Sequence, residues 1–155
     1  MSVWENRIAA KNILGLVRSC PEVKFFITAG IMEELRKLAP ESFLFEIGSR
    51  TQLIPRGFVG LLRKIVLEDD RFSSLRGKSY RSTLTLIHET LLLRRTTHVE
   101  DLLKLLKSIK IDEELMQKYG MKGRAAALYA KNLHEYEEAR KEAVKLLECF
   151  LKNAG

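Results

Sequence analysis

The chain is 155 residues long, with 46% hydrophobic and 30% charged residues, 27 Lys and Arg against 20 Asp and Glu, and a formal net charge of +7. That length and apolar content suit one domain with its own core and exclude an intrinsically disordered chain. Its uncharged apolar runs fall well short of the ~20 residues a membrane span needs, no signal-peptide pattern opens the chain, and two cysteines are too few for a disulfide-rich scaffold or a cysteine zinc site, so a cytoplasmic or otherwise intracellular protein without a membrane role is expected.

Residues 3–18 predict an amphipathic helix, with Trp4, Ile8, Ala9, Ile13 or Leu14, and Val17 recurring at three- and four-residue spacing and Pro21 ending it. Val23 to Ile27 reads as a short strand or buried linker. Thr28 is the expected N-cap of a helix to Ala39, with Glu33 and Glu34 near its start, Arg36 and Lys37 near its end, and Pro40 as its stop. Ser42 to Ile47 has strand-like composition, which makes 23–27 and 43–47 the place for a minor strand pair. Pro55 suits the first turn of a helix to about Glu68, with Phe58, Leu61, Leu62, Ile65 and Val66 as its apolar face. Residues 69–78 read as a loop.

No proline follows Pro55, so the remaining residues are free to form long helices. Ser79 starts one carrying Leu84, Ile87 and Leu91, and Thr97 with Glu100 makes a capping box for another whose Leu102, Leu103, Leu106 and Ile109 face inward. Asp112 caps a short helix ending at Gly120. The last helix runs from about Gly123 to Lys152, and Tyr129, Tyr136, Ala143 and Phe150 repeat along it every seven residues, with Ala126, Leu133, Ala139 and Leu147 between them. This seam serves either a bundle core or a partner's helix. Cys20 and Cys149 read as free thiols buried as small hydrophobes. The expected fold is all-α: a single helical domain over 1–155, a bundle of about six helices with a long C-terminal helix, and at most a minor strand pair in the N-terminal third.

Charge is unevenly placed. Between residues 50 and 95, the cations Arg50, Arg56, Arg63, Lys64, Arg71, Arg76, Lys78, Arg81, Arg94 and Arg95 face only Glu68, Asp69, Asp70 and Glu89, so this stretch carries +6 of the +7. Arginine's planar fork grips phosphate bidentately, which makes these ten residues the candidate nucleic-acid contacts. Ser73, Ser74, Gly77 and Ser79 add small donors, and Phe72 and Tyr80 are candidates for stacking on bases. The competing reading pairs the arginines with acids elsewhere in the fold, such as Glu135, Glu137 and Glu138.

Common catalytic signatures are missing: there is no Gly-rich phosphate loop, dinucleotide fingerprint, His-Glu-x-x-His or Cys-x-x-Cys. His88, His98 and His134 form no metal-ligand pattern, so neither a metal nor another cofactor is expected. Arg81 and His88 stand seven residues apart, which puts both on one face of a helix. That spacing resembles the Arg-x4-6-His motif of HEPN ribonucleases, small all-helical and usually dimeric domains that cleave RNA without metal. The resemblance implies that His88 would handle the proton of the attacking 2′-hydroxyl and Arg81 would stabilise the charged phosphorane. The chain departs from that pattern at Ser82, where a larger polar residue is often found, and in the apolar Leu84 and Ile87.

In size, helicity, basic character and lack of catalytic motifs the chain is similar to the small helical subunits of CRISPR effector complexes, which line the guide–target channel. The function expected is a non-catalytic, nucleic-acid-associated helical subunit. It would hold phosphate backbone along residues 50–95 and dock a protein partner, or its own copy, through residues 123–152. The alternatives are a HEPN-type metal-independent ribonuclease at Arg81 and His88, and a helical protein–protein adaptor without nucleic acid.

Overall fold

The computed structural model describes residues 3–27, 29–52, 55, 57–76, 96–119 and 132–153. Helix α1, Val3–Ser19, buries Ala9, Ala10, Ile13, Leu16 and Val17. Trp4, expected on that stripe, is instead 68% exposed. At about 100° per residue it lies roughly opposite the buried face, so its spacing to Ile8 does not continue into the stripe that packs. Helix α2, Ala29–Leu38, lies along α1 and buries Ile31 and Leu35 against it. The helices can approach closely because residue 30 is glycine: a Cβ there would stand 2.5 Å from Asn6 Nδ2. Thr28, the expected cap of α2, lies outside the described residues.

Pro40 both ends α2 and begins the next helix. Its carbonyl accepts from the Phe43 and Leu44 amides at 3.0 and 3.1 Å, opening α3, Glu41–Ser49. The expected strand at 43–47 is therefore a helix, and a short apolar run carries too little periodicity to tell the two apart. The strand pair itself exists, one element later: β1, Phe25–Phe26, pairs in parallel with β2, Thr51–Gln52, in the register Phe25 with Thr51 and Phe26 with Gln52.

Helix α4, Phe58–Glu68, starts three residues beyond Pro55 because Gly57 takes a left-handed φ of 92° just before it. Its predicted face of Phe58, Leu61, Leu62, Ile65 and Val66 is fully buried. The expected loop after it is partly a 3-10 helix, Asp70–Leu75, whose Phe72 and Leu75 enter the core. Helix α5, Thr96–Ser108, is already formed at Thr96, so Thr97 lies within it rather than at its cap, and Leu102, Leu105 and Leu106 are buried. Asp112 Oδ1 accepts from the Leu115 amide at 2.9 Å and caps α6, Glu113–Lys118, as expected.

Helix α7, Leu133–Asn153, is about 31 Å long and packs chiefly along α5. Its seam of Tyr136, Ala139, Ala143, Leu147 and Phe150 is buried, and the Tyr136 ring lies 6.2 Å from that of Phe58. Over this stretch the heptad pattern fills the chain's own core. The helix predicted from Ser79 and the segment around Gly123 lie outside the described residues.

The fold is all-α, with seven α-helices, one 3-10 helix and one two-stranded parallel sheet among the described residues. Among them no helix is long and apolar enough to cross a membrane. One expectation is overturned outright. Cys20 and Cys149 are not free but joined in a disulfide across 129 residues of sequence. The two cysteines stand far apart in the chain, and only the packing of α1 against α7 brings their Cα atoms to 6.1 Å. Closing so long a loop stabilises the native state by roughly 5 kcal/mol in the chain-entropy picture.

Candidate nucleic-acid interface

Five of the ten cations singled out in the sequence are described, and they fall into three groups. Arg50 is committed to the fold. Its Nε donates to the Val23 carbonyl at 3.0 Å, its Nη1 to that of Val17 at 2.9 Å, and its Nη2 to that of Cys20. Glu46 lies 3.5 Å from Nη1, the guanidinium carbon sits 5.2 Å from the Phe25 ring centroid, and the side chain is only 12% exposed. The residue caps the C-terminus of α1, where carbonyls lack helical partners, and it has no open fork to offer a phosphate.

Arg76 is similar but less enclosed. Its Nε donates to the Val66 carbonyl at 2.6 Å, its Nη1 lies 3.2 Å from Asp70 Oδ1, and its Nη2 is buried without a hydrogen-bond partner among the described residues. It holds the end of α4 against the 3-10 helix.

Arg71 is exposed but not unpaired. Its Nε and Nη2 clasp the Asp69 carboxylate at 3.1 and 2.7 Å, and its guanidinium carbon lies 5.1 Å from the Phe72 ring centroid. The hydrogen bond from Arg71 holds the Asp69 carboxyl below its ordinary value. Phe72 is 3% exposed, so it supports Arg71 from beneath and is closed to a base. Arg63 is exposed and Lys64 half-buried on α4, and no carboxylate pairs with either among the described residues. Arg56, Lys78, Arg81, Arg94 and Arg95 lie outside the described residues, as does His88.

Setting aside Arg50 and Arg76, whose donors serve the main chain, and Arg71, which is paired with Asp69, leaves Arg56, Arg63, Lys64, Lys78, Arg81, Arg94 and Arg95 of the ten.

Asp69, Arg71, Lys118 and Tyr119, with Glu68 and Asp70, line a cleft of about 550 Å³. The Lys118 ammonium lies 5.7 Å from the Tyr119 ring centroid, and burial, then the charge of Asp69, pushes the Tyr119 phenol up. Its two cations against three acids make the cleft no anion site by itself.

One charged pair escaped the sequence reading. Glu137, offered in the sequence as an acid for the central arginines, pairs instead with Arg140 of its own helix, and each is 14% exposed. Arg140 grips Glu137 through Nε and Nη2 and donates from Nη1 to the Leu106 carbonyl at 2.7 Å, while Glu137 Oε2 accepts from the Ile111 amide at 2.8 Å. Burial pushes the Glu137 carboxyl up, but hydrogen bonds from Arg140 and Ile111 and the charges of Arg140 and Lys141 outweigh it, so the net shift is downward. The signal was the i,i+3 spacing next to the buried Tyr136 and Ala139.

Among the described residues no cluster of His, Cys, Asp and Glu could hold a metal ion. Comparison with protein-family models, with curated proteins and with solved structures finds no match to this chain.

Proposed function

We propose that this protein is a non-catalytic, nucleic-acid-associated helical protein that binds phosphate backbone through its basic central segment, residues 50–95. One observation carries the reading: ten cations face only four acids there, so the segment holds +6 of the chain's +7, and seven of those cations, Arg56, Arg63, Lys64, Lys78, Arg81, Arg94 and Arg95, are the proposed contacts. Arg50 and Arg76 drop out because their donors serve the main chain. The likeness in type to small CRISPR effector subunits fits this reading.

The test is a salt titration of binding to RNA and DNA oligonucleotides. With up to seven phosphates neutralised, log K is expected to fall against log salt with a slope of about −5 to −6. Reversing both Arg94→Glu and Arg95→Glu should flatten that slope by about two and weaken binding at least tenfold at ~100 mM salt. Absence of binding at ~50 mM salt would overturn the proposal in favour of an adaptor that meets an acidic protein. RNA cleavage abolished in both Arg81→Ala and His88→Ala would replace it with the HEPN-type ribonuclease.

A further inference from the structure

The bond between Cys20 and Cys149 joins the end of α1 to α7 where these two helices pack together. Helix α1 packs mainly along α2, and α7 mainly along α5, so the disulfide is the covalent tie between the N-terminal and C-terminal pairs. Its two sulfurs differ in setting. Cys20 is 1% exposed at the end of α1, with its amide donating to the Leu16 carbonyl and its own carbonyl held by Arg50. Cys149 is only half-buried, and both cysteines line a groove of about 570 Å³, with Pro21, Glu22 and Val23 on one side and Lys145, Glu148 and Lys152 of α7 on the other, so it is the difference in exposure that separates them. Groove volumes of this order accept molecules the size of a small peptide. The Asn153 amide stands over the bond, with Nδ2 3.5 Å from Cys149 Sγ and 3.8 Å from Cys20 Sγ.

From this asymmetry we infer that Cys149 is a thiol-exchange site, attacked from the groove by a low-molecular-mass thiol, with Cys20 as the leaving sulfur. A thiolate forms a bond to Cys149 Sγ, the Cys149–Cys20 bond breaks, and its electron pair leaves on Cys20 as a thiolate that the Asn153 amide faces and water protonates. The product is a mixed disulfide on Cys149 and a free Cys20 thiol, with no net change in oxidation state. A second thiol then attacks the incoming thiol's sulfur, releasing Cys149 as a thiol and the small molecule as its own disulfide, so two thiols are oxidised and one protein disulfide is reduced.

The exchange unties α7 from α1 without undoing the turn at Cys20. That turn has its own anchor, since Arg50 bonds the Val17, Cys20 and Val23 carbonyls whatever the state of the sulfurs. The exchange thus loosens α7 against α1 while Arg50 still holds the turn at Cys20. This inference is independent of the nucleic-acid reading.

The experiment treats the full-length oxidised chain, under native conditions, with limiting reduced glutathione, quenches with iodoacetamide and maps adducts by peptide mass spectrometry. The expected result is glutathione on Cys149 and alkylation on Cys20. With excess dithiothreitol both thiols should appear, the melting temperature should fall by about 5–15 °C, and the far-ultraviolet helical signal at 25 °C should be retained. Glutathione found on Cys20, or a bond that reacts only in denaturant, would overturn the inference. So would two free thiols titrated in protein purified in air without reductant. As a check that does not rest on the disulfide, Cys20→Ser should leave Cys149 reactive toward oxidised glutathione, while Cys149→Ser should leave Cys20 inert until denaturation. Equal reactivity of the two single variants would count against the assigned order.

Discussion

Arg50 and Arg140 occupy matching positions in the two halves of the molecule and solve the same problem by different chemistry. Each points a guanidinium at the carbonyls left open at a helix C-terminus, α1 for Arg50 and α5 for Arg140. Arg50 does so with three carbonyls and a weak acid partner, Glu46, which is 54% exposed at 3.5 Å. Arg140 contacts one carbonyl and takes its countercharge from a carboxylate as buried as itself, which in turn fixes the Ile111 amide. The N-terminal corner is thus held by groups that do not titrate, and the C-terminal corner by one that does. A sum of charges over the sequence cannot see this difference, since it counts both arginines as +1.

The largest effect should come from Arg50→Ala. It strips the donor from three part-buried carbonyls at once, and a loss of roughly 3–5 kcal/mol is expected in chemical denaturation. Arg50→Lys should recover only a minor part, because one ammonium cannot span carbonyls that the guanidinium reaches with three different nitrogens. A loss under 1 kcal/mol in Arg50→Ala would show that water replaces the clamp at little cost.

Glu137→Gln should cost about 2–3 kcal/mol near neutral pH, leaving Arg140 without its countercharge. This variant separates the two corners by their pH profiles. Because the folded carboxyl titrates below its ordinary value of 4.5, the ionised pair's contribution is complete above that value and lost as pH falls through the lowered folded one. The stability gap between wild type and Glu137→Gln should therefore be flat from neutral pH down to about 5 and narrow in stronger acid. The gap for Arg50→Ala, whose hydrogen-bond partners are main-chain carbonyls, should stay flat over the same range. Parallel profiles for the two variants would erase the distinction.

Arg76→Met is next in size, at about 1–2 kcal/mol, since it removes the bond to the Val66 carbonyl but also a buried nitrogen that has no partner among the described residues.

The helical scaffold was legible wherever apolar residues recur over ten or more positions. The faces of α4 and α7 read correctly because Phe58 to Val66 and Tyr136 to Phe150 keep one period throughout. Shorter stretches failed for want of period: 43–47 became part of α3, and 70–75 became a 3-10 helix whose Phe72 is core. The site was harder to read for a different reason. Arg50 bonds carbonyls 27 to 33 residues away in the chain, and main-chain oxygens have no residue identity to search for. Cys20 and Cys149 are likewise joined by packing across a separation no local pattern spans. The charge imbalance between residues 50 and 95 is a count over the sequence, and the structure bears on it only by giving Arg50 and Arg76 main-chain partners and Arg71 a carboxylate.

Arg71 gives the smallest and most discriminating test of that last point. Unlike Arg50 and Arg140 it reaches no main-chain carbonyl among the described residues; its partners there are the neighbouring Asp69 carboxylate and the ring of Phe72, and its side chain is 63% exposed. Exposed pairs of this kind contribute little to stability, so Arg71→Ala should leave the melting temperature unchanged within error. Its effect on binding then locates the edge of the interface. With Asp69 already neutralising the guanidinium, Arg71→Ala should weaken oligonucleotide binding by less than about threefold and leave the salt slope within half a unit of wild type, whereas Asp69→Asn frees the cation and should strengthen binding. A slope that drops by a full contact in Arg71→Ala would mean that phosphate displaces Asp69 from the fork, and it would add Arg71 to the proposed contacts.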